Sequence, residues 1–92
     1  MAKGLAHLRI EYYDDRPAED VVVGQSDLVD AERYCRAHNV PQESVEATTY
    51  AAYRAALRMG LTDDRDFEHW RVGVASTIEA GSESGESAAP LG

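Results

Sequence analysis

The chain lacks most of the features that mark catalytic, metal-binding or membrane proteins. Its 92 residues include one cysteine, Cys35, so no disulfide can form within it, and the closest histidine, His38, lacks an orienting third group. No C-x-x-C or H-x-x-x-H pair, spaced calcium loop, glycine-rich phosphate loop or nucleophile-elbow serine occurs. We therefore expect no enzyme activity, no cofactor and no bound metal.

Basic residues and long apolar runs are also scarce. Seventeen acids outweigh nine bases, of which only one is lysine, and the net charge of -8 disfavours nucleic acid as a ligand. No stretch approaches the roughly 18 apolar residues of a membrane span, and the start MAKGLAH lacks a signal-peptide core. The expected location is the cytoplasm, with no membrane partner.

An antiparallel hairpin is predicted at the N-terminal end. Apolar and polar residues alternate from Ala6 to Tyr13, as in a half-buried strand. A turn rich in Asp and Pro follows, and Val21–Val23 supply a β-branched returning strand. Because an isolated hairpin is marginally stable, this one needs a covering helix or another strand.

Three helices are predicted after the hairpin. The first is capped by Ser26 or Asp27 and ends before Pro41; its stripe is Leu28, Ala31, Cys35 and His38. The second runs from Pro41 to a left-handed stop at Gly60, with a stripe of Val45, Thr49, Ala52, Ala56 and Met59 that Tyr50, Tyr53, Leu57 and Leu61 widen. The third, capped by Thr62 or Asp63, carries Phe67, Trp70, Val74 and Ile78 on one face, although Gly73 weakens it.

The predicted fold class is α+β: an N-terminal antiparallel hairpin, a small three-helix bundle and a disordered C-terminal tail. Residues 1–79 form the expected domain, and residues 80–92, rich in Gly, Ser and Glu, form a flexible tail. Arg54 and Arg58 lie one turn apart and need acidic neighbours, for which the cluster from Asp63 to Glu68, the helix C-terminal carbonyls and a partner surface are alternatives.

Seven aromatic residues are too many for so small a chain to bury completely, so some of them are expected to form a patch that binds a partner. Phe67 and Trp70 are candidates for both the core and this patch. The candidate partner-binding residues are Tyr50, Tyr53, Arg54, Leu57, Arg58, Phe67 and Trp70.

The order of these parts resembles the small tail assembly chaperones of long-tailed phages, especially those of actinobacteria. The resemblance covers residues 8–79 and is carried by Tyr50-Ala-Ala-Tyr-Arg-Ala-Ala-Leu-Arg-Met-Gly-Leu61 followed by Phe67-Glu-His-Trp70. This sequence departs from the family at Tyr53, where many relatives have Trp, and at Gly73 and Val74, where the last turn is usually more charged.

The resemblance implies a non-enzymatic chaperone that binds the tape measure protein and promotes assembly of the tail tube protein around it. It also implies a homo-oligomer, a longer form of the same chain made by ribosomal frameshifting, and action in the host cytoplasm without retention in the mature virion. The alternative is a structural virion component, such as a head-tail connector or a small adaptor.

Overall fold

The computed structural model describes residues 6–79, which adopt an α+β fold, as predicted. The predicted tail, residues 80–92, lies outside the described residues. The elements in chain order are β1 (Ala6–Tyr12), β2 (Glu19–Val23), α1 (Gln25–His38), α2 (Val45–Arg58), α3 (Phe67–Arg71) and β3 (Val74–Glu79). The strands form one antiparallel sheet in the order β2-β1-β3.

The predicted hairpin of β1 and β2 is confirmed. Leu8 pairs with Val21, and the two-residue period places Leu8, Ile10, Val21 and Val23 on one buried face. The opposite face is polar and carries the ion pair between Arg9 Nε and Asp20 Oδ1, 3.1 Å apart. One face of the sheet therefore faces a core and the other faces solvent.

The second half of the third predicted helix is a strand, so that part of the prediction is wrong. Helix α3 ends at Arg71, and Val74–Glu79 instead pair antiparallel with the second edge of β1, with Arg9 opposite Ile78. Gly73 weakens a helix here, and the β-branched side chains that follow it suit a strand. The pairing also supplies the third strand that a marginal hairpin needs.

All three helices start at residues other than those predicted. Gly24, not Ser26 or Asp27, is the N-cap of α1, and the Asp27 carboxylate accepts a hydrogen bond from the Gly24 N–H at 2.9 Å. Ser44 caps α2 through the Ala47 N–H, so Pro41 lies outside that helix. Asp66 caps α3 in place of Thr62 or Asp63.

The two long helices end on left-handed residues. Gly60, at φ 77°, ends α2 as predicted, and the N–H groups of Gly60 and Leu61 donate to the carbonyls of Leu57 and Ala56. Helix α1 ends on Asn39, at φ 59°, two residues before Pro41. The side chain of Asn tolerates this conformation better than those of most residues.

The core lies between the inner face of the sheet and α2. Ala52 and Ala56 are fully buried, which allows the helix to approach the strands closely. Val45 and Met59 were placed on the same stripe, but they are 79% and 41% exposed and lie outside the core. Helix α1 packs antiparallel to α2, since Asp27 near its start contacts Arg58 and Tyr34 in its second half contacts Glu46.

Candidate functional site

The aromatic residues chosen as candidate contacts form one continuous cluster between α1, α2 and α3. Tyr34 stacks on Tyr50 with ring centroids 4.2 Å apart, and Phe67 lies 4.9 Å from Tyr50 and 5.3 Å from Tyr53. Trp70 closes the cluster, 5.2 Å from Tyr53. Four of the candidate partner-binding residues, Tyr50, Tyr53, Phe67 and Trp70, therefore lie together in space.

Burial separates these aromatic residues into two groups. Tyr53, Phe67 and Trp70 are 3%, 8% and 6% exposed, so they belong to the core, whereas Tyr50 remains half-buried. Among the other aromatics, Tyr13, the residue after β1, is the most exposed, at 77%. A partner that contacts the cluster without opening the fold therefore reaches Tyr50 and its stacked neighbour but not the three core rings.

Two tyrosine hydroxyls of the cluster are held by hydrogen bonds. The Tyr53 hydroxyl donates to the Asp64 carbonyl at 2.8 Å, and the Tyr34 hydroxyl donates to Glu46 Oε2 at 2.5 Å. Burial, followed by the hydrogen bond to Glu46, raises the pKa of Tyr34, and burial with the charge of Asp64 raises the pKa of Tyr53. Both hydroxyls remain neutral donors that fix the helices, which is a structural use of these groups.

The two candidate arginines have different partners from those predicted. Arg58 Nη2 lies 2.8 Å from Asp27 Oδ2 and also donates to the Val22 carbonyl, and Arg54 Nη2 lies 3.3 Å from Asp30 Oδ2. Both acids belong to α1, not to the cluster after Gly60 or to the helix carbonyls. These pairings depend on how α1 packs against α2, which the local sequence pattern does not indicate.

An open groove that the sequence did not reveal lies on the other side of α1. It has a volume of about 580 Å³ and is bounded by the sheet, α1 and α2. Its walls are mostly small or aliphatic side chains: Leu8, Val23, Leu28, Val29, Ala31, Cys35, Ala47 and Ala51, with Gln25, Glu32, Gln42, Thr48 and Thr77 as polar members. The groove exists because small residues line the inner face of both helices.

Three of the four residues in the predicted stripe of α1 line this groove. Ala31 and Cys35 are buried at its base, and Leu28 at its mouth remains 41% exposed. The fourth member, His38, is exposed and packs its ring on Tyr34, 4.3 Å between centroids. A stripe of small residues on α1, together with the alanines of α2, is the sequence signal that could have indicated a groove.

Most of the side chains that line the groove are apolar. The Cys35 thiol lies 4.0 Å from the Pro41 carbonyl oxygen, whereas the His38 ring packs on Tyr34. The two side chains therefore contact different residues. Within residues 6–79 no group of three or more His, Cys, Asp or Glu side chains is arranged to hold a metal ion. None of the helices in this range is long and apolar enough to cross a membrane.

Comparison of the chain with protein-family models, with curated proteins and with solved structures finds no match. No relative therefore indicates what the groove binds.

Proposed function

We propose that the chain is a non-enzymatic phage tail assembly chaperone whose groove binds apolar side chains of the tape measure protein. In this proposal the chaperone keeps the tape measure soluble in the host cytoplasm and helps the tail tube protein polymerise around it. It works as a homo-oligomer, together with a longer frameshifted form of itself, and leaves before the virion is complete.

The observation that carries the proposal is the open, mostly aliphatic groove between the sheet, α1 and α2. Its volume of about 580 Å³ lies within the range of about 300–1,000 Å³ typical of ligand pockets. A pocket of this size accommodates a few side chains from one face of an amphipathic helix, which is how helix-in-groove recognition works. The aliphatic walls select for apolar side chains without demanding one particular sequence.

The charge of the molecule supports the same role. A net charge of -8 keeps a protein dispersed while it holds an apolar client. Glu32 and two glutamines at the groove provide polar contacts for the rest of a bound helix. An acidic carrier with an apolar groove therefore combines client binding with solubility.

The proposal can be tested by co-expressing the tape measure protein with the chain and with a Leu28→Glu variant. Leu28 is 41% exposed at the mouth of the groove, so a carboxylate there leaves the core intact but opposes entry of an apolar side chain. We expect wild type to keep the tape measure in the soluble fraction and to co-purify with it, and Leu28→Glu to lose both properties.

The matched control is Val72→Glu, which adds the same charge at a residue that is 67% exposed and outside the groove. It should behave like wild type. The proposal fails if wild type never solubilises the tape measure, or if the two variants lose binding equally. Trp70→Ala does not serve here, because Trp70 is buried and its loss tests the fold.

Mass spectrometry of purified virions addresses the remaining alternative, a structural component such as a head-tail connector or adaptor. A chaperone should be absent from the particle, whereas a structural subunit should be present at fixed stoichiometry.

A further inference from the structure

The two outer strands of the sheet differ in how their free edges are covered. On β2, the Val22 carbonyl accepts a hydrogen bond from Arg58 Nη2, and the Val22 N–H lies 3.5 Å from Met59 Sδ. The end of α2 therefore occupies that edge. On β3, by contrast, no residue in the range 6–79 outside β1 hydrogen-bonds to the main chain of Val74–Glu79.

The open edge also lacks the residues that usually protect edge strands. Charged side chains, especially Lys, and Pro commonly prevent edges from pairing with another chain. The stretch from Val74 to Ile78 contains neither, and three of its five residues, Val74, Thr77 and Ile78, are β-branched. Its composition favours pairing with a further strand.

We propose that this edge pairs antiparallel with β3 of a second copy of the chain. The resulting dimer would have a continuous six-stranded sheet built from two three-stranded sheets. Two copies that each carry a charge of -8 repel one another over most of their surfaces. The uncharged stretch Val74–Ile78 allows close approach at the lowest electrostatic cost, and the groove beside it, which carries one cation and one anion, favours a second copy as the occupant.

The surroundings of β3 suit a two-fold symmetric contact. Antiparallel pairing of β3 about a two-fold axis places both α2 helices on the same face of the extended sheet. The start of α2 lies beside β3, where Thr49 Oγ1 is 3.4 Å from Thr77 Oγ1, and Val45 on the preceding turn is 79% exposed. The symmetric contact thus covers an exposed valine on one face of the sheet and Ile78, 42% exposed, on the other.

The shallow groove beside this edge also carries matched charges. About 310 Å³ in volume, it is lined by both Arg71 and Glu46 along with Val45 and β3 itself. A surface with one cation and one anion complements itself in an isologous interface, where each copy presents the same patch. Within each chain Arg71 Nη2 pairs with Glu68 Oε1 at 2.8 Å and Glu46 accepts the Tyr34 hydroxyl, so neither charge is left without a partner when the contact forms.

Analytical ultracentrifugation of the full chain tests the inference, with wild type compared with the double variant Ala75→Lys/Ile78→Lys. Both positions are exposed, and lysines on an edge strand oppose pairing. We expect wild type to sediment at twice its mass of 10.1 kDa and the variant at 10.1 kDa. The control His7→Lys/Ala37→Lys, which adds two lysines at exposed positions away from the edge, should remain dimeric.

Hydrogen exchange and a second variant identify the interface independently. Amides of Ala75–Ile78 should become more protected as wild-type concentration rises. Val45→Glu, at an exposed helix position that leaves the sheet intact, should raise the dimer dissociation constant by about tenfold. A wild type that is monomeric at every concentration overturns the inference, and so does a folded lysine variant that is still dimeric.

The inference deepens the oligomer part of the proposed function but is tested on the chain alone. A dimer that fails to solubilise the tape measure contradicts the chaperone role and leaves the β3 interface in place. A monomer that solubilises the tape measure contradicts the interface only.

Discussion

Asp27 is the one charged side chain that is buried among residues 6–78, and it connects three parts of the fold. Its carboxylate accepts hydrogen bonds from the Gly24 N–H at the start of α1 and from Nε and Nη2 of Arg58 at the end of α2. The same Arg58 holds the carbonyl of Val22 in β2. A buried carboxylate is tolerable only when it is paired in this way, so the network fixes how both helices meet the sheet.

Asp27→Ala should therefore lower the free energy of unfolding by about 2–4 kcal/mol, because it removes a helix cap and leaves Arg58 without its main partner. Asp30→Ala is the matched control: Asp30 pairs with Arg54, and both side chains are about a third exposed. Such an exposed pair should contribute less than about 1 kcal/mol. Urea denaturation measures both changes, and equal losses would contradict the role assigned to Asp27.

A second residue-scale prediction concerns the exposed pair of Asp64 and His69, whose Oδ2 and Nδ1 atoms lie 2.6 Å apart. The hydrogen bond to Asp64 and its charge raise the pKa of His69 above its ordinary 6.5, and the hydrogen bond to His69, followed by one from the Asp66 N–H, lowers the pKa of Asp64 below 3.8. Protonated His69 therefore stabilises the fold below pH 6.5, and this contribution is lost as the pH rises through the raised pKa of His69. Ionised Asp64 stabilises the fold above pH 3.8, and this contribution is lost as the pH falls through the lowered pKa of Asp64.

The pair therefore contributes most between pH 3.8 and 6.5. NMR titration of His69 checks this, since Asp64→Asn should move the pKa of His69 back toward 6.5. Asn retains an oxygen that can accept the Asp66 N–H, so the local turn is preserved. An unchanged His69 pKa in this variant would mean that Asp64 is not its partner in solution.

At the scale of elements, the two left-handed helix ends allow a matched comparison. A Cβ added at Gly60 meets no atom within 4 Å, so Gly60→Ala tests backbone strain without a steric clash. At φ 77° we expect a loss of about 1 kcal/mol. Asn39→Gly at φ 59° should change stability by no more than about 0.5 kcal/mol, because relief of strain offsets the added flexibility of the unfolded chain. Thermal denaturation that shows no loss for Gly60→Ala would contradict the αL assignment.

The same scale shows why the sequence predicted some elements and not others. The hairpin, two long helices and the stop at Gly60 depend on local patterns, such as alternation in β1 and a left-handed glycine, and all of them are confirmed. The fate of Val74–Glu79 depends on a distant partner. A spacing of Phe67, Trp70, Val74 and Ile78 fits a helix, but pairing with β1 offers backbone hydrogen bonds that local periodicity cannot register.

The candidate site was predictable to a similar extent. Tyr50, Tyr53, Phe67 and Trp70 were predicted as candidate partner contacts from their helical spacing on α2 and α3, and the structure brings their rings together. Which of them would be buried depends on the placement of α3, and the groove depends on how α1 lies against both α2 and the sheet. These are tertiary properties. A stripe of Ala31 and Cys35 looks the same in a sequence whether it meets a neighbour or borders an opening.

At the scale of the whole molecule, the groove and the fold depend on each other. Its walls come from the sheet and both long helices, and these elements are joined on the other side of α1 by Asp27 and Arg58. A ligand in the groove contacts all of them, so it binds the folded chain and not the unfolded one. Binding should therefore stabilise the entire fold and not only the groove.

If the proposed function holds, this linkage gives a measurable prediction for apolar peptides taken from the tape measure sequence. A peptide present at 100 times its dissociation constant should stabilise the fold by about 2.7 kcal/mol, which for a chain of this size raises the melting temperature by roughly 10 °C or more. Differential scanning fluorimetry with overlapping peptides should find the binding segment. Leu28→Glu should abolish the shift and Val72→Glu should retain it, because only Leu28 borders the groove. Equal shifts in the two variants would place the binding surface elsewhere on the molecule.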